Sequence, residues 1–188
     1  MKYFEPFNSY FDFEKLELDP EGELIIRKLS NMADMYQDQE AVKEALAEDP
    51  IIYKFYNVEI PEEEGHLQHC VSIVYPGKIG NEYYMTKGHF HTVEATAEIY
   101  LTFNGEGKLV MQTPNNNTKV VDMKPGSISY IPPCWAHRTV NIGDEPLIFF
   151  GVYRGDARHN YRIIEKKGMA AIIVEEEGKP VIKNNSAY

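Results

Sequence analysis

Cysteine is scarce in this chain of 188 residues: only Cys70 and Cys134 occur, far apart and in no C-x-x-C pair. That excludes a disulfide framework and a thiolate zinc site, and it leaves two separate buried thiols as the simplest expectation. No apolar run approaches the roughly 18 residues that a membrane-spanning helix requires. The opening MKYFEPFNSYFDFEK also lacks the basic-then-apolar plan of a signal peptide. A cytoplasmic protein with no membrane partner is expected. Positive charge is short as well, with 19 basic against 29 acidic residues and a formal net charge of −10. A general nucleic-acid binder, which needs a phosphate-neutralising basic surface, is thereby disfavoured, and any anionic substrate must be met by local positive groups. Internal repeats, low-complexity tracts and Ser/Pro linkers are absent too, so residues 1–188 read as one domain.

Aromatic residues are abundant, with 13 tyrosines and 9 phenylalanines, and these fit the half-buried surface of a sheet. Residues 1–50 read as an irregular aromatic extension carrying one short helix. In DQEAVKEALAEDP, Asp38 can cap it, Ala41, Val42, Ala45 and Leu46 form an apolar stripe, and Pro50 stops it. From Ile51 the pattern changes to short alternating or apolar segments separated by PGKIGNE, NGEG, PNNN, KPGS, PPCW and GDEP. Such spacing without intervening helices predicts an all-β antiparallel sandwich or barrel over about residues 51–155. Residues 156–188 are expected to add a loop and closing strands, with a hairpin around Glu177 and Gly178.

The chemistry-bearing signal is GHFH. Positions two apart on a strand project to one face, so His89 and His91 would set two imidazoles side by side as a metal requires. Glu98, in the next predicted strand after the short TVEAT connection, is expected to fold back as a hairpin and face them. His137, after the backbone-restricting Pro132 and Pro133, is the fourth candidate. Three imidazoles and a carboxylate leave open positions on an octahedral ion such as Fe²⁺ or Mn²⁺. His66 and His69 fit no such set and read as structural. Trp135 is expected to pack in the core, and Arg138 to support a ligand or lie at the surface.

GHFHTVEATAEIY and PGSISYIPPCWAHRTVNIGDEP resemble the two motifs of the cupin superfamily. Within it, the TKGHFH, AEIY, PPCWAHRTVN and DARHNY segments, in this order, are similar to the archaeal cupin-type glucose-6-phosphate isomerases. The likeness covers roughly residues 50–165 and is specific, because several motifs keep their order. The resemblance implies a double-stranded β-helix, or jelly-roll barrel, a homodimer, and a metal ion held by His89, His91, Glu98 and His137. It implies interconversion of glucose 6-phosphate and fructose 6-phosphate in glycolysis and gluconeogenesis, with one divalent ion per subunit. Fe²⁺ is the first expectation, and Mn²⁺, Ni²⁺ or Zn²⁺ also suit such ligands. By the same resemblance the sugar-phosphate pocket falls to Tyr53, Ser72, Thr86, Lys87, Gly88, Tyr100, Tyr153, His159 and Tyr161. Ser72 stands where threonine is usual and keeps the hydroxyl. Cys134 stands where tyrosine is usual and removes an aromatic wall near the metal.

Isomerisation moves one hydrogen between C2 and C1 and reshuffles protons on O1 and O2, so it needs proton-handling groups near both carbons. Glu98 is the candidate base, Tyr100 shares its strand face, and His159 and Tyr161 can hydrogen-bond the sugar. A metal-bound carboxylate is a weakened base, so transfer through an enediol and a metal-assisted hydride shift both remain open. At Thr86 to Gly88 a hydroxyl, an ammonium and backbone N–H groups suit a phosphate. Two further classes compete with the isomerase: a metal-dependent cupin oxygenase using the same His/Glu set, and a non-catalytic sugar-binding cupin with a structural ion.

Overall fold

The computed structural model describes residues 4–20 and 22–187; the expected domain limits at residues 1 and 188 lie outside that range. In chain order the first elements are β1 (Tyr10–Asp12), β2 (Glu17–Asp19), β3 (Glu23–Lys28), two 3₁₀ turns, α1 (Gln39–Ala45), β4 (Ile51–Asn57) and β5 (Leu67–Val74). Then come β6 (Lys78–Ile79), β7 (Glu82–Tyr83), β8 (Phe90–His91), β9 (Glu98–Asn104), β10 (Gly107–Gln112) and β11 (Thr118–Met123). β12 (Ile128–Ile131), β13 (Ala136–Asn141), β14 (Leu147–Arg154), β15 (His159–Asn160), α2 (Arg162–Lys167), β16 (Ala171–Glu176) and β17 (Lys179–Asn184) complete the chain.

The fold is mainly β and antiparallel, as expected, and its body is two facing sheets. One has six strands in the order β12-β9-β14-β5-β4-β3. The other has the order β11-β10-β13 and is continued past β13 by single bridges to Met85 and His89. Between them lies the main core, where Tyr100 and Phe149 of the first sheet meet Leu109, Met111 and Val140 of the second. Every residue of β13 is buried, because both of its faces are covered. This is the antiparallel sandwich anticipated from the strand spacing, in keeping with the jelly-roll that the resemblance implied.

Asp38 caps α1 by accepting the Ala41 N–H at 3.0 Å, and Val42 is the residue that this short helix buries. The closing hairpin turns at Glu177 and Gly178, both at positive φ. The N-terminal extension is more ordered than its irregular sequence suggested. β3 pairs with β4 and widens the six-stranded sheet, while the β1-β2 hairpin packs Phe11 and Leu18 on Tyr56, Val71 and Ile73. Among the described residues α2 is a second helix that the chain pattern did not predict. His66 and His69 have the structural role expected, in edge and stacked contact with Phe4 and Phe7.

Candidate active site

The segment read as one strand, EYYMTKGHFH, is broken. Gly88 sits at φ +75°, where a Cβ would lie 3.0 Å from the His137 carbonyl oxygen, so the chain turns and presses against β13. His89 and His137 then exchange reciprocal backbone hydrogen bonds of 3.2 and 3.1 Å. β8 pairs with β15 rather than with β9, so the expected hairpin between the histidines and Glu98 does not form. Glu98 arrives instead from the six-stranded sheet, across the interior, and meets the three imidazoles head on.

The donor atoms of His89, His91, Glu98 and His137 lie within 4.8 Å of one another. Glu98 Oε2 is 3.1 Å from His91 Nε2 and 3.0 Å from His137 Nε2. The His137 approach is not aligned as a hydrogen bond, and both its ring nitrogens and His89 Nε2 are buried without a hydrogen-bond partner. Orphaned nitrogens of this kind are costly unless something satisfies them, and a divalent cation among three imidazoles and a carboxylate does so. The residues therefore fit a metal ion. His91 is further prepared for that role: its Nδ1 faces Thr96 Oγ1 at 2.7 Å and the Thr96 carbonyl at 3.2 Å, while the Thr96 hydroxyl donates to Val93 O. A proton held on Nδ1 leaves the Nε2 lone pair free for a metal. Sequence reasoning missed Thr96, although a hydroxyl residue two positions before a ligand carboxylate was there to be read.

A pocket opens over this cluster. All nine residues expected from the resemblance line it. Tyr53, Ser72, Tyr100 and Tyr153 come from four neighbouring strands of the six-stranded sheet, and Thr86, Lys87 and Gly88 form the opposite lip. His159 and Tyr161 close the end from β15 and the start of α2, with the His159 ring 4.2 Å from that of His89. Phe55, Cys70 and Phe149 add an apolar floor that the sequence did not single out. Tyr100 enters because its cross-strand partner is Gly151, where any Cβ would lie 3.0 Å from the tyrosine ring.

Electrostatics separate the roles. Burial alone would raise the Glu98 carboxyl, but the electrostatic influence of the adjacent His137 ring and the contact with His91 overcome it and hold the group down at about 2. Burial depresses His89 well below the usual imidazole range, and the neighbouring imidazoles add to the effect. Burial also pulls His159 down to about 4, opposed by the Glu98 charge. Tyr100 and Tyr153 are pushed up, chiefly by burial, and remain phenols. Lys87 Nζ pairs with Glu165 Oε1 at 3.0 Å.

Three expectations need correction. Cys134 is exposed rather than buried, sits at φ +68° with its N–H on Glu94 O, and does not line the pocket. Arg138 is not at the surface: it is 2% exposed and donates from Nε and Nη2 to the Lys87 carbonyl at 3.2 and 2.7 Å, bracing the Thr86–Gly88 lip. The third is the separation of β8 from β9 already described. Trp135 packs partly buried against the main core, as anticipated.

The family model for glucose-6-phosphate isomerase matches residues 26–188. The chain belongs to the glucose-6-phosphate isomerase family. The isomerase of Thermococcus litoralis is 45% identical over 100% of this chain and 99% of its own. That of Pyrococcus furiosus is 44% identical over 99% of this chain and 98% of its own. A bacterial isomerase, from Sinorhizobium medicae, is 29% identical over 95% of this chain and 84% of its own. Among solved structures, an oxalate decarboxylase superposes over 55% of this chain with 22% identity and a TM-score of 0.44, and the chain covers 26% of that protein. The oxalate decarboxylase of Lactobacillus farciminis superposes with a TM-score of 0.46 over 58% of this chain and 30% of its own, at 21% identity.

Proposed function

We propose that this isomerase interconverts glucose 6-phosphate and fructose 6-phosphate in the pocket above His89, His91, Glu98 and His137, with one divalent ion, Fe²⁺ first, held by those four side chains. The observation that carries the reading is the meeting, in one pocket, of a three-imidazole and one-carboxylate set with a lip of Thr86, Lys87 and Gly88. A phosphorylated hexose needs both ends. The bound ion supplies a Lewis acid for the sugar carbonyl. An oxygenase would need the first end without the second, and in a non-catalytic sugar binder removal of the ion would affect stability with no turnover to lose.

The chain's own residues divide the work. At the phosphate end, the Thr86 hydroxyl accepts the Thr139 N–H at 3.0 Å, which leaves its own hydrogen to donate to a phosphate oxygen. Lys87 adds charge, and Gly88 lets the sugar phosphate approach the backbone closely. At the reacting end, Tyr100 is a phenol throughout the working range and donates to a sugar oxygen. His159 is a neutral imidazole there, able to accept a proton from a sugar hydroxyl and return it. Glu98 stays charged and faces the carbons between which the hydrogen moves. Ser72, Tyr53, Tyr153 and Tyr161 hold the chain of hydroxyls in place. We place the protein in the cytoplasm, in glycolysis and gluconeogenesis, as a homodimer, which would cover the exposed Ile99, Ile128 and Tyr130 along one edge of the six-stranded sheet.

The test is conversion of fructose 6-phosphate by chelator-treated protein before and after each divalent metal is added back. Turnover lost on chelation and restored by metal is expected; folded protein that turns over equally well without metal, or not at all with any metal, refutes the proposal. In the same assay Glu98→Ala should lose turnover and weaken metal binding together, and near-normal activity would remove Glu98 from both roles.

A further inference from the structure

The lip of the pocket departs from the ladder it belongs to. Single bridges join Met85 to Val140 and His89 to His137, so four residue steps on the lip face three on β13. One residue is in excess, which is the signature of a β-bulge, and bulges beside a site re-aim the groups they carry. On either side of the excess the lip is tied to β13 through the backbone. The Thr86 N–H donates to the Thr139 carbonyl at 2.9 Å, the Thr139 N–H donates to the Thr86 hydroxyl oxygen at 3.0 Å, and His89 and His137 exchange both of their backbone groups. The N–H groups of His137 and Thr139 are thereby engaged, and the Lys87 carbonyl between them takes its donors from a side chain instead. Arg138 supplies Nε at 3.2 Å and Nη2 at 2.7 Å. The fit is close, since a Cβ on Gly88 would lie 3.1 Å from the Arg138 Cβ and 3.4 Å from its Nε.

The consequence lies in the geometry of a peptide unit, which is planar and, when trans, points its carbonyl and its N–H in opposite directions. The Lys87–Gly88 bond is trans. A Lys87 carbonyl held by Arg138 therefore sends the Gly88 N–H away from that side chain. Successive residues of a strand alternate faces, so Arg138 lies on the reverse of His137, which lines the pocket. The Gly88 N–H is thus turned toward the pocket. Gly88 is itself a buried lining residue, and among the described residues its N–H has no hydrogen-bond acceptor. A buried amide in that state calls for a partner from outside the chain, and an anion suits it. We infer that Arg138 is a positioning residue for the phosphate: by holding the Lys87 carbonyl it presents the Gly88 N–H to the pocket, where that donor completes a dianion cradle with the Thr86 hydroxyl and the Lys87 ammonium. A peptide freed of Arg138 can present its carbonyl there instead, an acceptor set against an anion. The inference rests on the sugar-phosphate reading of the pocket and adds to it a residue that acts from behind the lining.

The experiment compares metal-loaded wild type, Arg138→Gln and Arg138→Lys, each below its own melting temperature, with fructose 6-phosphate as substrate and inorganic phosphate as the competing anion. For Arg138→Gln the KM and the inhibition constant of inorganic phosphate should both rise about tenfold, the loss of one hydrogen bond to a charged group, while kcat and metal affinity hold. Arg138→Lys keeps one charged donor and should fall between. Unchanged KM and phosphate affinity overturn the inference, as does a metal affinity that falls in step with KM, which would place the effect at His137. Arg138 is fully buried, so a measurement on the wild type stands beside the variants. In protein labelled with ¹⁵N-glycine and loaded with zinc, inorganic phosphate should move the Gly88 amide proton downfield further than that of any other of the 13 glycines. A Gly88 amide unmoved by phosphate overturns the inference. Wild type without turnover on any metal would sink the isomerase reading instead, and the phosphate titrations, which need no turnover, still decide for or against Arg138.

Discussion

Replacing Thr96 with valine removes one hydroxyl, 3% exposed as a residue, and almost no volume. In the wild type that hydroxyl faces His91 Nδ1 at 2.7 Å and donates to Val93 O at 2.7 Å. Valine leaves the Val93 carbonyl one donor short. It leaves His91 with the longer contact to the Thr96 carbonyl at 3.2 Å, so the ring keeps its tautomer but loses its firmer hold. A net hydrogen bond is worth about 0.5–1.5 kcal/mol, so losing the one that holds His91 suggests a similar loss in metal affinity, while the orphaned Val93 carbonyl costs stability with or without the ion. That corresponds to roughly two- to twelvefold weaker binding, which reaches the lower end of the usual range for groups that orient a metal-bound histidine. The assay is competition for the ion against a chromophoric chelator, with thermal unfolding of stripped and loaded protein alongside. Loading should raise the melting temperature of Thr96→Val less than that of wild type. Equal metal affinity in a variant that folds normally would refute the claim that Thr96 prepares His91.

Glu165→Gln tests the ion pair at the lip. A dianion seated on Lys87 would lie about 6 Å from the Glu165 carboxylate, where each pair of unit charges repels by about 0.7 kcal/mol in water. After screening, the variant should lower KM about fivefold with little change in kcat, and more so at low salt; a raised KM would mean that Glu165 orients Lys87 usefully. Glu82→Gln tests a buried carboxyl in β7, whose Oε2 accepts the Gln37 N–H at 3.1 Å and whose Oε1 has no partner. Burial raises this group, against the opposing Gln37 hydrogen bond and Arg138 charge. A raised folded-state value means that its favourable contribution is complete below the ordinary carboxylate range and is lost as pH rises through the folded value. Denaturant titrations from pH 4 to 8 should therefore show the variant gaining on wild type with rising pH, and a constant difference would remove Glu82 as the cause.

Much of the site was legible in the sequence because metal ligation demands particular residue types at short separations. His89, His91 and Glu98 lie within one stretch, and His137 follows a rigid Pro-Pro turn. What could not be read was which sheet each ligand belongs to. A hairpin between the histidines and Glu98 was the local expectation, yet strand pairing is decided by partners far along the chain, and β9 lies between β12 and β14. The same reason hid β3, whose ELIIRK becomes a strand by pairing with β4. α2, only six residues long, has too little periodicity to stand out. Arg138, expected either to support a ligand or to lie at the surface, instead donates to the Lys87 carbonyl, a side-chain-to-backbone contact with no spacing signature.

Glu98 approaches its partners from the six-stranded sheet, while His137 lies on β13 of the other, His89 is bridged to it, and His91 follows on the adjoining β8. An ion gripped by all four is a rivet through two plates, and its binding energy is added to whatever resists their parting. Stripped protein should then open along this seam first. Amide hydrogen exchange would register that as faster labelling of β9 and β13 together, with the β16-β17 hairpin, which holds none of the four, left as slow as before. In such a molecule the supply of metal governs how long the shell of the protein stays shut as well as whether its pocket works.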